Sequence, residues 1–406
     1  MIGTSALSQI CTPPDLYAYT IINQNDADLI AENCTTVEGN IRMSTNYTGS
    51  LYLPNVKNIT GAFTWQTLLG YDDTPSPTSV DMPDLEYIGQ DLAMDRLKTL
   101  RSFSAPRLKS VHWSVHVGYA VDVDLRALES VEYFYYSGNA STLRLDSLRE
   151  VRESASICNK DSCARKATPG PAFDLSLPSL EAVSELTIDG RFSSLSLPQL
   201  RNVSRTYAAS GGLKIGTSAG DVLNITLPKL EHVSDGISVH GAIGSFAMDS
   251  MRNISGFHLE TSVALNMSLP IEEAGAILVV GNMTEVRFPN LRSWTYLEVL
   301  AQVDFDCGIT AASLPNSTAH SWLCRAPEKE PDSSLSTSAK IGIGIGAGVG
   351  GLVIIVFVAW LFWKRKRRGE RLKSESNMHL HEVPPSYSEV RMQDNPPEYG
   401  SARSAN

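Results

Sequence analysis

The sequence predicts a mainly β chain built as a solenoid of repeated rungs, followed by one transmembrane helix and a disordered tail. Three observations predict it. Ten segments between residues 51 and 294 share one pattern, apolar–x–apolar, often Pro, x–apolar–x–x–apolar. The stretch Ile341–Trp363, IGIGIGAGVGGLVIIVFVAWLFW, holds no charged side chain. Residues 364–406 behind it open on a basic run and contain few large apolar side chains.

The chain starts poorly for an exported protein. Residues 1–10, MIGTSALSQI, have neither a basic n-region nor a long apolar core, so they read as the remnant of a leader. Either the true start lies upstream of Met1 or the later apolar stretch acts as an insertion signal. A truncated or misassigned start is the favoured expectation, since glycosylation and disulfides require translocation.

Residues 11–325 form the predicted ectodomain. The repeat appears as LYLPNVKNI at 51–59, VDMPDLEYI at 80–88, FSAPRLKSV at 103–111, VDLRALESV at 123–131 and LRLDSLREV at 143–151. It continues as LSLPSLEAV at 175–183, LSLPQLRNV at 195–203, ITLPKLEHV at 225–233, FAMDSMRNI at 246–254 and VRFPNLRSW at 286–294, with a degenerate copy near Leu269-Pro270. Most copies begin 19–23 residues apart, and others are spread to 29–32. Fixed periods in this range signal a solenoid. The first two apolar positions alternate with polar ones, as in a short strand with one buried face. The proline ends that strand because it cannot donate to a continuing ladder. The next two apolar positions, three apart, turn the chain back into the core, so that stacked rungs bury one continuous column.

All six cysteines precede the apolar stretch: Cys11, Cys34, Cys158, Cys163, Cys307 and Cys324. An even number on one side of a membrane points to disulfides in an oxidising compartment. Sequence leaves many connectivities open, a free buried thiol among them. Clustering favours Cys11–Cys34, Cys158–Cys163 and Cys307–Cys324. Asn-x-Ser/Thr sequons stand at Asn33, Asn46, Asn58, Asn139, Asn202, Asn224, Asn253, Asn266, Asn282 and Asn316, and none follows the apolar stretch. That one-sided distribution reads as a glycoprotein ectodomain. Asn33, beside Cys34, is the poorest acceptor among them.

The opening CTPPDLYAYTIINQNDADLIAENCTTVEGNIRM resembles the start of a receptor L-domain: a cysteine, a strand, a short helix at Asn25–Glu32, a second cysteine, then Glu38-Gly39-Asn40-Ile41 entering a strand. With the LxLPxLxxV rungs, residues 11–325 resemble the fungal cell-wall-organisation glycoproteins of the GPI-anchored receptor-L-domain family, which includes sporulation-specific wall proteins. The resemblance implies a right-handed parallel β-helix, leucine-rich-like in its rungs, heavy glycosylation and a role in wall integrity. Its partners would be wall polysaccharide or wall proteins. One departure matters. A GPI signal ends with its apolar tail, whereas here a basic run and a further segment follow.

Residues 326–340, APEKEPDSSLSTSAK, are a polar Ser- and Pro-containing stalk. Residues 341–363 are long enough, at roughly 34 Å as a helix, to span a hydrocarbon core of about 30 Å. Lys364, Arg365, Lys366, Arg367 and Arg368 follow at once. Such a run stays cytoplasmic and attracts anionic lipid, which predicts a single-pass plasma-membrane protein with its N-terminus outside. Gly342, Gly346 and Gly350 fall four apart, the small-residue spacing that lets two helices pair as a homodimer.

The tail, residues 364–406, carries Pro384-Pro385-Ser386-Tyr387 and Pro396-Pro397-Glu398-Tyr399. Both resemble PPxY ligands of WW domains: paired prolines preform a polyproline II turn and the tyrosine fills an adjoining pocket. Two copies engage tandem WW domains with an avidity gain. Such motifs imply HECT-type ubiquitin ligases as partners. Tyr387-Ser388-Glu389-Val390 also fits an endocytic YxxΦ signal.

No chemistry stands out. Gly216-Thr217-Ser218-Ala219-Gly220 matches GxSxG, but strand-like residues follow where a nucleophile elbow needs a helix. His112 and His116 lack an HExxH context, and Glu272-Glu273 and Asp72-Asp73 read as solvated turns. No Cys/His spacing suggests zinc. A non-enzymatic protein without metal, cofactor or nucleic-acid partner is expected; a ligand-binding receptor with a signalling tail is the alternative, and a wall-polysaccharide hydrolase a more distant one.

Overall fold

The computed structural model describes residues 9–14, 17–65, 74–160, 170–204, 212–217, 221–315 and 321–327. They fall in one compact unit, Met1–Lys329. It is mainly β, a parallel solenoid of about 13 turns, with two helices among the described residues. Cys163, Asn316, Asp72-Asp73, the apolar stretch Ile341–Trp363, the basic run and both PPxY motifs lie outside those residues. No described helix is long and apolar enough to cross a membrane.

Each turn supplies strands to two faces. The broad face is one sheet of 20 strands, and the narrow face is divided into sheets of five, two and two. The repeat wraps the corner between them. Its first apolar position lies on a narrow-face strand, as do Leu51 in Thr48–Tyr52 and Phe103 in Ser102–Ser104. Its last opens the broad face, where Ile59, Ile88, Val111, Val131, Val151, Val183, Val203 and Val233 stand in parallel register. Every apolar position of the ten copies is buried. The degenerate copy is genuine: Met267, Leu269, Ile271 and Ala274 are buried, and Ala274 pairs with both Ile254 and Trp294 although the copy is one residue short.

The repeat pattern did not foretell the second strand of each turn. After the last apolar position the chain runs on along the broad face, as in Ser110–Gly118, Ser130–Ser137 and Ala182–Gly190. These strands add a further inward column, in which Val115 pairs with Phe134, Phe134 with Ala155 and Ala155 with Leu186. Fully burying a side chain of this size contributes about 1.5–3 kcal/mol, and each turn buries several, so stability accumulates along the coil.

Both ends are closed alike, by a helix and a disulfide. Helix α1, Gln24–Asn33, starts at an Asn23–Asp26 capping box and buries Ala27, Ile30 and Ala31. The Cys11–Cys34 disulfide ties it down. Helix α2, Cys307–Ser313, is capped by Asp306, and the buried Thr310 hydroxyl donates to the Val286 carbonyl over 2.9 Å. Cys307–Cys324 fastens this end. Terminal rungs of a solenoid otherwise present an open sheet edge. Cys158 is disulfide-bonded as well.

At mid-coil the chain leaves the broad face after Asn159. The Asn159 amide donates to the carbonyls of Pro171 and Arg191, at 2.6 and 2.7 Å, holding successive turns together. Beside it the buried Lys160 ammonium meets the Asp189 carboxylate at 2.7 Å.

One column of surface residues is ordered in charge. The first of the two positions between the last two apolar residues of each copy, the degenerate one included, reads Lys57, Glu86, Lys109, Glu129, Arg149, Glu181, Arg201, Glu231, Arg252, Glu272 and Arg292. The sign alternates without a break. Backbone bonds stack these residues directly, as from Glu86 to Lys57 and from Lys109 to Glu86, over 2.7 and 2.9 Å. Ion pairs close at Arg201–Glu231 (3.6 Å), Arg252–Glu272 (3.8 Å) and Arg292–Glu272 (3.5 Å). Glu272 is therefore clasped between two arginines, and the expectation of a merely solvated turn is corrected there. Adjacent rungs lie about 4.8 Å apart, so a skipped or exchanged rung stacks like charges. The ladder favours one order of rungs over its alternatives.

Candidate functional surface

Nine of the ten sequon asparagines are described, and none of them is buried. Asn33, Asn46, Asn139, Asn224, Asn253 and Asn266 are exposed, whereas Asn58, Asn202 and Asn282 are half-exposed. Asn58, Asn202 and Asn253 immediately follow the ladder at the rim of the broad face, Asn224 lies on a narrow-face strand, and Asn266 lies on the far stretch of the long strand Asn253–Ser268, past the register break after Thr261. Asn33 ends α1, Asn46 and Asn139 are in connections, and Asn282 lies past Gly281, where the broad-face pairing ends. Among the described residues, the broad-face strands Ser110–Gly118, Ser130–Ser137, Glu150–Asn159 and Ala182–Gly190 carry no sequon.

A row of bulges separates that rim from the rest of the broad face. Val111 and Val131 are paired, and so are Ser114 and Tyr133, which sets His112 and Trp113 against Glu132 alone. The same surplus recurs at Arg152-Glu153, facing Glu132 on one side and Ser184 on the other. Bulges re-aim side chains. Here the extra residue turns Trp113 outward, where it is 55% exposed, while its backbone N–H donates to the Gln90 carbonyl at 3.1 Å.

Past the bulge, alternation puts Val115 and Val117 into the core and Ser114 and His116 on the surface; in the next strand Phe134 and Tyr136 go in and Tyr133 and Tyr135 out. His116 and Tyr135 are register partners with ring centres 4.6 Å apart. The Tyr133 and Tyr135 rings lie 6.2 Å apart and nearly parallel, at 11°. Tyr135 shares a hydrogen bond with the Ser154 hydroxyl at 2.9 Å, and the Ser114 hydroxyl donates to the Asp91 carboxylate. Burial pushes the His116 pKa down, although Asp95 and Asp91 pull it the other way. The imidazole is therefore neutral at pH 7. Along the bulges an open groove of about 430 Å³ continues the surface, lined by Glu132, Arg152, Glu153 and Ser184 and ending at Asn202 and Ser204.

This patch combines the exposed Trp113 ring and two half-buried tyrosine rings with carboxylate and hydroxyl groups. Sequence reasoning passed over Trp113, Tyr133 and Tyr135. The signal was present in VEYFYYSG, where aromatic residues occupy both faces of one strand.

The remaining sequence candidates are scattered. His112 sits exposed in the bulge, apart from the half-buried His116. Gly216 and Thr217 close the strand Leu213–Thr217, and the next described element is the strand Leu223–Thr226, so the GxSxG segment runs towards a strand. A Cβ on Gly216 would come within 2.5 Å of the His240 ring, which accounts for that glycine sterically. Among the described residues no three His, Cys, Asp or Glu side chains are grouped to hold a metal ion. Compared with protein families, curated proteins and solved structures, the chain matches none.

Proposed function

We propose that this chain is a non-enzymatic cell-surface glycoprotein, anchored by Ile341–Trp363, that supports or senses fungal cell-wall organisation. The resemblance of residues 11–325 to receptor-L-domain wall glycoproteins suggests the role. The observation that carries it is the order of features along the chain: every sequon within residues 11–325, then one apolar stretch, a basic run and two PPxY motifs. Exposure of the described sequons is compatible with their carrying glycans. In this reading the coil is the receptor-L-type right-handed solenoid, Lys364–Arg368 holds inner-leaflet lipid, and the span glycines pair two copies. The tail recruits WW-domain ligases that govern turnover.

Deleting the gene tests the role: the mutant is expected to be hypersensitive to wall-binding dyes and to heat, and parental growth in a strain without a paralogue would refute it. Topology is tested separately. A C-terminal tag should stay at the plasma membrane on a band that glycosidase shifts, and an unshifted or soluble band would contradict the anchoring.

A receptor reading is favoured by the aromatic patch on the sequon-free part of the broad face. Its tail would couple a bound ligand to WW-domain partners. Tyr387→Ala with Tyr399→Ala should abolish WW-domain capture and prolong surface residence.

A further inference from the structure

We infer that the patch formed by Trp113, Tyr133 and Tyr135 is a carbohydrate-binding site, built to take a stretch of neutral polysaccharide across the strands Ser110–Gly118 and Ser130–Ser137. The inference deepens the proposed wall role and rests on it for the source of the sugar.

Three independent features converge. The first is presentation. Trp113 is 55% exposed because a bulge turns it out of the sheet, and a bulky apolar ring held in water by a backbone irregularity costs burial that the fold could otherwise have used. Tyr133 is the register partner of Ser114, the residue after Trp113, and its ring is nearly parallel to that of Tyr135, at 11°. The second is chemistry. A pyranose has an apolar face of C–H groups and a rim of hydroxyls, so it needs a ring to stack on and acceptors and donors around that ring. The patch supplies both. The Asp91 carboxylate, Ser114 and Ser154 hydroxyls and the neutral His116 ring border the tyrosines, and Glu132 and Glu153 line the adjoining groove. Arg152 also lines the groove, but it is paired with Glu150 at 3.9 Å and outnumbered by carboxylates, so the surface is net negative and disfavours nucleic acid and phosphorylated ligands. The polar groups interrupt the apolar area, so it lacks the continuous apolar core of a protein interface.

The third feature is access. The described sequons lie at the rim, on the narrow-face strand Leu223–Thr226, on the far stretches of the strands Asn253–Ser268 and Glu273–Arg287, at the end of α1 and in connections, and none lies on the strands Ser110–Gly118 and Ser130–Ser137. Asn202 lies at the far end of the groove from Trp113, so a glycan there leaves the aromatic end open.

The test uses the full chain in detergent micelles, titrated with two defined probes. One is a β-1,3-linked glucose hexamer and the other a β-1,4-linked N-acetylglucosamine hexamer. Binding of at least one probe is expected, with quenching or a blue shift of tryptophan emission. Trp113→Ala and Tyr133→Ala should each weaken it at least tenfold with unchanged melting temperature, and Trp113→Phe should retain part of it. Tyr296→Ala removes a 40% exposed ring on a distant rung and should leave binding intact. No binding of either probe by the wild-type chain overturns the inference. So does binding that survives Trp113→Ala and Tyr133→Ala. A dye-sensitive deletion strain with no sugar binding would sink this site and spare the wall role. Patch-dependent binding with a healthy deletion strain would do the reverse.

Discussion

The ladder corner and the aromatic patch are neighbours on the same turns, yet they obey opposite rules. From Lys57 to Arg292 the ladder keeps one register and one alternation of sign, and each residue is explained by the residues above and below it. A few positions further along the same turns, register slips at each of three successive strand pairs and a tryptophan is turned into solvent. Regularity in a solenoid is what stacking demands, so a feature that repeats on every turn belongs to the fold. A feature that breaks the repeat must be supported by its surroundings, and such local conflicts concentrate where a protein does its work. The contrast assigns structure to the corner and recognition to the patch.

The sharpest test stays within one strand. Phe134 points into the core opposite Val115 and Ala155, whereas Tyr135 points out. Phe134→Ala should cost about 3–5 kcal/mol through lost burial and the cavity left behind. Tyr135→Ala should cost only about 1–2 kcal/mol, for one hydrogen bond and two ring contacts, with His116 and Tyr133. Chemical denaturation of both variants checks the difference, and equal costs would erase the division between the faces.

Opening an end should come next in size. Cys307→Ser with Cys324→Ser releases the bond that fastens α2 and the last strand. A loss of about 2–4 kcal/mol is expected, with amide exchange rising first in residues 293–325 and little change near Trp113. Uniform acceleration along the coil would show that the turns do not act as neighbour-coupled units.

The ladder should respond more weakly, and to salt. Glu181→Arg places three cations on consecutive rungs, Arg149 to Arg201, and should cost about 0.5–1 kcal/mol at low ionic strength. Glu181→Gln should cost less, and at 1 M salt the two variants should converge. A charge reversal that salt leaves untouched would mean that the alternation does not act electrostatically.

The smallest effect is that of His116. Its folded pKa is depressed by burial, so the neutral ring favours the folded state above the unfolded pKa of about 6.5. That contribution is lost as pH falls from there through the folded value, and Asp95 and Asp91, which favour the charged ring, limit the loss. Melting curves between pH 7 and 5 should show a shallow decline that His116→Phe flattens.

The repeat was legible because Leu, Val and Pro at fixed offsets have one physical reading, a short strand and an inward turn. Helix α1 was legible through the resemblance, at Gln24–Asn33 against an expected Asn25–Glu32, and the Asn23–Asp26 capping box is the physical reason it starts there. The disulfides Cys11–Cys34 and Cys307–Cys324 followed from clustering alone. The long broad-face strands were not foreseen, because they lie between repeat copies and their alternation is local to each turn. The ladder escaped notice because it is visible only down the aligned copies and never along the chain. Trp113 escaped for a different reason: a bulge depends on how two strands count against each other, which one strand's sequence does not contain.

Hydroxyl-radical footprinting of the full chain, with and without the sugar hexamer that binds, addresses the division of labour most directly, since aromatic side chains are the ones it labels best. The account predicts that sugar protects Trp113, Tyr133 and Tyr135 from oxidation and leaves Tyr52, Tyr87 and Tyr296, exposed elsewhere on the coil, as reactive as before. Protection at Tyr87, which adjoins the ladder residue Glu86, or at Tyr52 on the narrow face, with Trp113 still reactive, would contradict it.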